Sequence, residues 1–124
     1  MKKYALLFVM FCLISCTGSG GGGATAQIPS LMSPSEMDNQ EASNKNNEGV
    51  DHLVQGHYDV SKPLFEQAIA AKSSFAEAHF NLAVTLDGMG KHGEATESFK
   101  KAIEFGKDNP KISENALLKK HLAM

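Results

Sequence analysis

Five histidines, His52, His57, His79, His92 and His121, have the widest chemical range of any residues in this chain, because an imidazole can ligate a metal or carry a proton near neutral pH. Their spacing predicts neither role. His52 and His57 are separated by the turn residue Gly56, His79 and His92 fall on and after a different helix, and no His-Glu-x-x-His or Cys-x-x-Cys occurs. Local spacing therefore supplies no ready set of ligands, and the expectation is no metal and no cofactor. Carboxylate pairs such as Glu94 and Glu97 read as a solvated helix face, and no Gly-x-Ser-x-Gly elbow is present. The expected function is recognition, not catalysis.

The cysteines have a different context. Lys2 and Lys3 precede the apolar run Ala5 to Ile14, which is half of the ~20 residues needed to span a bilayer and so reads as the core of an export signal. Leu13-Ile14-Ser15-Cys16 follows directly and resembles the bacterial lipobox. That resemblance implies a signal peptide over residues 1–15, lipidation of Cys16 and anchoring without a span. The alternative is an ordinary secretory signal cut near Ala24 or Ala26. Under the lipobox reading Cys12 leaves with the signal and Cys16 carries lipid, so no disulfide is available to the mature chain. Thr17 stands where an aspartate would imply inner-membrane retention, which points to an outer-membrane lipoprotein facing the periplasm.

All 12 basic residues among the 124 are lysines, and the formal net charge is -2. With no arginine to make bidentate contacts and no basic stripe, nucleic acid is an unfavourable partner. The glycines between Gly18 and Gly23, then Pro29, Pro34 and a run of Ser, Asn and acidic residues, show no apolar periodicity. Residues 16–43 are accordingly read as the lipidated cysteine and a flexible tether, with an end-to-end distance of about 30 Å as a coil. This leaves residues 44–124 as the folding unit, too short for a doubly wound nucleotide-binding domain and long enough for four or five helices.

Within that unit the chain matches itself at an offset of 34. The identities are Ala42/Ala76, Asn47/Asn81, Val50/Val84, Gly56/Gly90, Phe65/Phe99, Ala68/Ala102 and Ile69/Ile103. Ala95, Phe99, Ala102 and Ile103 form one stripe of an amphipathic helix, and Ser61, Phe65, Ala68 and Ile69 repeat it. Gly56 and Gly90 are placed to end the first helix of each pair, and Gly106 to end the fourth helix. The period, the helical stripes and the small and large positions Leu82, Ala83, Gly90, Ala95, Phe99 and Ala102 resemble the tetratricopeptide repeat (TPR) family. The resemblance implies an all-α fold, a helix-turn-helix TPR-like solenoid of two repeats (about 42–75 and 76–109) with a C-terminal capping helix over 110–124. The first helix, around Asn44 to Val54, is expected to fray at its start. Pro63 is tolerated if Ser61 caps the second helix and kinks it if the helix begins earlier.

In this family the first helix of each pair lines a groove for an extended peptide or a partner's helix. Carried over, those positions are Asn46, Val50, Leu53 and Val54 in the first repeat, Glu77, Phe80, Asn81, Val84 and Asp87 in the second, and Lys111, Glu114 and Leu118 in the cap. Val50, Leu53, Phe80, Val84 and Leu118 would make an apolar floor, although an aromatic at the place of Phe80 also serves plain packing in the family. The family's two-carboxylate clamp is not expected, because only Asn81 and Lys111 match it and Val50 replaces a required asparagine. The expected function is a membrane-anchored adaptor that binds a protein or peptide and assembles an envelope complex. The alternatives are a self-associating structural module or an accessory subunit of an envelope enzyme.

Overall fold

The computed structural model describes residues 27–123, and the signal segment, Cys16 and the glycine run lie outside them. Helix formation begins earlier than expected. Asn39 caps α1 (Gln40–Leu53), its side-chain oxygen accepting from the Ala42 amide while its Nδ2 donates to the Ala71 carbonyl at the far end of α2. The expected frayed start is thus tied down by one asparagine that satisfies a helix end at each side. α2 (Tyr58–Ala71), α3 (Ala76–Gly88) and α4 (His92–Gly106) follow, and among the described residues there is no strand.

The fold is all-α, two helix-turn-helix units of a TPR-like solenoid. α1 packs along α2 and α3 along α4, α2 joins the units by packing on α3, and α1 also touches α3. Gly56 and Gly90 both adopt φ of 77° immediately after the first helix of each pair, the left-handed conformation that a side chain disfavours. Phe65 and Phe99 are fully buried knobs in equivalent positions. Phe65 lies over Gly49, where a Cβ would sit 2.6 Å from its ring, so α1 and α2 approach each other through a hole in one helix and an aromatic on the other.

Four expectations are corrected. α2 starts at Tyr58, not Ser61, so Pro63 lies inside the helix and one backbone hydrogen bond is lost there. Ser61 is instead fully buried, its hydroxyl within bonding distance of the Tyr58 carbonyl and of Thr85 Oγ1 in α3. Gly106 ends α4 without a left-handed turn. Its lack of a side chain serves packing, because a Cβ would meet Ile112 at 2.6 Å and Ala76 at 2.9 Å. The single capping helix is two short ones, α5 (Pro110–Ser113) and α6 (Ala116–Leu122), each opened by an asparagine cap, Asn109 and Asn115. Ile112 and Leu118 enter the main core from them, so the cap is part of the domain and not only a solvating cover.

The last correction concerns the tether. Ile28 and Leu31 pack against the main core, so the ordered domain extends back through residues 28–39 and does not begin at residue 44.

Candidate functional site: an asparagine ladder on the first helices

α1 and α3 lie side by side and present Asn46, Asn47 and Asn81 to the same channel, and the chain's own residues 28–33 run along it. The Leu31 amide donates to Asn81 Oδ1 at 2.8 Å, and two residues later the Ser33 amide donates to Asn47 Oδ1 at 2.8 Å. Asn47 and Asn81 are equivalent residues of the two repeats. Side chains of an extended segment alternate and its amides repeat in register, so one repeat grips one amide and the next repeat grips the amide two residues away. The Leu31 carbonyl is held from both sides, by Asn81 Nδ2 at 2.7 Å and Asn46 Nδ2 at 3.0 Å. Asn81 Nδ2 also donates to Asn46 Oδ1 at 2.8 Å, locking the two amides against each other.

All but one of the asparagine bonds to the segment are to main-chain atoms, the exception being Asn46 Nδ2 to Ser33 Oγ at 3.2 Å, and main-chain contacts recognise extension without reading side-chain identity. Asn46 and Asn81 are both fully buried, and a buried amide left without partners would be costly. The position of the segment is therefore coupled to the state of the asparagines. Its side chains add a second component, since Ile28 and Leu31 lie against the apolar cluster that contains Val50, Leu53, Phe80, Val84 and Leu118.

All but one of the residues expected to line a groove, Asp87 being the exception, divide into three groups. Asn46 and Asn81 contact the extended segment. Val50, Leu53, Phe80, Val84 and Leu118 are buried core, not an open floor. Phe80 is 0% exposed and meets Phe99 edge-on with ring centroids 5.6 Å apart, so packing explains its presence. Val54, Glu77, Lys111 and Glu114 lie at the edges. Val54 is 48% exposed beyond α1, and Glu114 is an exposed cap residue of α5. Glu77 Oε1 accepts from Asn109 Nδ2 at 3.1 Å, and with Lys111 these two border a cavity of about 500 Å³ whose other wall is Ser30 to Ser35. Asn47 is not among the expected groove residues, although its identity with Asn81 at the repeat offset marks it in the sequence.

Asp87 stands apart from all three groups. It lies at the end of α3, and its Oδ1 is 2.7 Å from His92 Nδ1 and 2.8 Å from His121 Nε2. Burial alone would raise its carboxyl, but the hydrogen bonds from His92 and His121 and their charge outweigh it and hold the carboxyl below the usual range. Local spacing predicted no such grouping. The fold gathers a carboxylate and two imidazoles by bringing α6 back over the α3–α4 turn.

Residues 76–108, which span α3 and α4, match the tetratricopeptide repeat family. No curated protein and no solved structure matches the chain. The helical pairs and this match together define the class: a helical-repeat module for protein–protein interaction. No helix among the described residues is long and apolar enough to cross a membrane.

Proposed function

We propose that this protein is a membrane-anchored adaptor of the bacterial cell envelope that holds an extended segment of a partner protein along α1 and α3. The observation that carries the binding mode is the asparagine ladder, in which equivalent residues of two repeats grip alternate amides of an extended chain. Residues 28–33 are the intrinsic occupant, and a partner segment would take the same hydrogen bonds after displacing them. The anchor part of the reading rests on the lipobox resemblance at Leu13 to Cys16, with Thr17 favouring the outer membrane and the periplasm as the place of action. A peptide in this channel needs no metal or nucleotide, so the proposed binding requires no cofactor and includes no catalytic step.

A second reading follows from the same bonds made between copies. Residues 34–39 link the strap to α1, and a strap that leaves its own channel could enter that of a neighbour, giving a self-associating module.

The test compares a partner captured by crosslinking in intact membranes for its binding to wild type, to Asn47→Ala/Asn81→Ala and to a variant lacking residues 28–35. Binding should be lost in the asparagine variant and strengthened without the strap. Equal binding to all three would place the interface elsewhere. Concentration-dependent dimers that vanish in the strap-deleted variant would favour the second reading.

A further inference from the structure

We propose that Asp87, His92 and His121 form a binding site for a divalent transition-metal ion, zinc above all, that clamps α6 onto the α3–α4 pair. One ligand atom from each of the three residues lies within 4.8 Å of the others. Two imidazole nitrogens and one carboxylate oxygen make a donor set suited to zinc, cobalt, nickel or copper and poorly suited to magnesium or calcium, which require mostly oxygen.

The hydrogen bonds around His121 decide which of its nitrogens faces the site. Thr96 Oγ1 donates to the His92 carbonyl at 2.9 Å, which uses its one proton. The 3.0 Å contact between Thr96 Oγ1 and His121 Nδ1 must then be donated by the ring. With Nδ1 donating to Thr96, Nε2 is the nitrogen directed at Asp87 Oδ1, at 2.8 Å, and a bound ion would take the place of the proton that Nε2 now donates to the carboxylate. This is the arrangement found around metal-bound histidines, in which the second ring nitrogen donates to a fixed acceptor that sets the tautomer and orientation. The same threonine links the two histidines, because it bonds the backbone of one and the ring of the other.

Only small movements are needed. Tetrahedral coordination at ordinary zinc distances puts ligand atoms about 3.4 Å apart. Asp87 Oδ1 would therefore withdraw by about half an ångström or slightly more from each imidazole, where it now stands at 2.7 and 2.8 Å. The two imidazoles would close on each other from within 4.8 Å. His121 is held, with a side chain 9% exposed and a ring 4.9 Å from that of Phe99. His92 is 69% exposed and free to swing. The fourth position opens to a cavity of about 420 Å³ lined by Asp87, His92, Lys120 and His121. A water or a small anion fits there, and the Lys120 ammonium favours the anion while lowering the affinity for a cation.

The three ligands come from the end of α3, the start of α4 and the last turn of α6. An ion held by all three closes the chain between Asp87 and His121. This is the kind of staple by which a small domain supplements a modest core, and the binding free energy adds directly to that of folding.

The experiment is calorimetric titration of the full-length chain with zinc ion alone, together with thermal unfolding with and without zinc. Wild type should bind one ion and unfold at a higher temperature in its presence. His92→Ala, whose exposed ring contributes little to packing, should lose at least about tenfold in affinity together with the thermal gain. Asp87→Asn gives a second, nearly isosteric reading. Thr96→Val should keep all three ligands and still weaken binding by roughly tenfold through His121. The control is His52→Ala, which removes the other close histidine pair, His52 and His57 at 5.8 Å, and should behave as wild type. Zinc binding that is unchanged by both His92→Ala and Asp87→Asn would overturn the assignment. So would a wild-type melting temperature indifferent to zinc, which would leave the three residues as a hydrogen-bonded contact only.

Discussion

Replacing Asn81 by alanine tests whether the strap is held by its backbone or merely lies on apolar surface. Asn81 makes three side-chain hydrogen bonds, accepting from the Leu31 amide and donating to the Leu31 carbonyl and to Asn46 Oδ1. After truncation the Leu31 carbonyl still has Asn46 Nδ2, but the Leu31 amide and Asn46 Oδ1 lose these partners. At about 1–3 kcal/mol for each of these two unsatisfied groups, the strapped state would lose about 2–6 kcal/mol. The loss has a ceiling, because the strap can detach and let water satisfy both groups. The expected outcome is local opening, not global unfolding. Amide exchange measured by NMR should accelerate at Leu31 and Ser33 by roughly thirtyfold or more, the equivalent of about 2 kcal/mol, while amides in the middle of α4 keep most of their protection. Leu31→Pro, which removes the donated N–H itself, should reproduce the effect with Asn81 intact. Wild-type protection at Leu31 in Asn81→Ala would show that apolar contacts alone hold the segment, and the ladder would lose its place in the functional reading.

Phe99→Ala should cost about 3–5 kcal/mol by thermal or denaturant unfolding, since the ring is fully buried against Phe80 and His121; an unchanged midpoint would refute its place as a knob. Filling the hole under Phe65 with Gly49→Ala should destabilise the α1–α2 pair by about 1–3 kcal/mol, because the added carbon would sit 2.6 Å from the ring. His79 is buried, bonded through Nε2 to the Ser73 carbonyl and stacked on Phe105 at 5.5 Å. Burial lowers its pKa below the ordinary 6.5, with Lys101 adding to the effect and the Ser73 bond and Glu104 opposing it. Its contribution to stability is then complete above that value and is lost as pH falls through the lower folded-state pKa, so His79→Gln should flatten unfolding curves on the acid side of 6.5. Cys16→Ser should shift the protein from the membrane to the aqueous fraction or leave its signal uncleaved, and wild type found wholly in the aqueous fraction would refute the anchor.

The helical repeat was legible in the sequence because its physics is local and periodic. A 34-residue offset places glycine where each turn needs φ of 77° and phenylalanine where each second helix needs a knob, and those requirements depend on neighbours within one helical pair. The boundaries at Asn39 and Tyr58 were less legible. α1 is fixed by a capping asparagine that reaches across to Ala71, and a long-range bond leaves no mark in local periodicity.

Two features were decided only by tertiary structure. Residues 28–33 have a loop composition, and nothing in Ile28-Pro29-Ser30-Leu31 indicates that its amides will meet asparagines some 14 and 50 positions further along the chain. The fold creates that match by setting α1 beside α3, so that a 34-residue repeat in sequence becomes a two-residue step along the segment. The grouping of Asp87, His92 and His121 has the same origin. Ligand spacing can be read from sequence when the ligands share a helix or a loop, whereas His121 reaches Asp87 across 34 residues and only because α6 folds back over the α3–α4 turn.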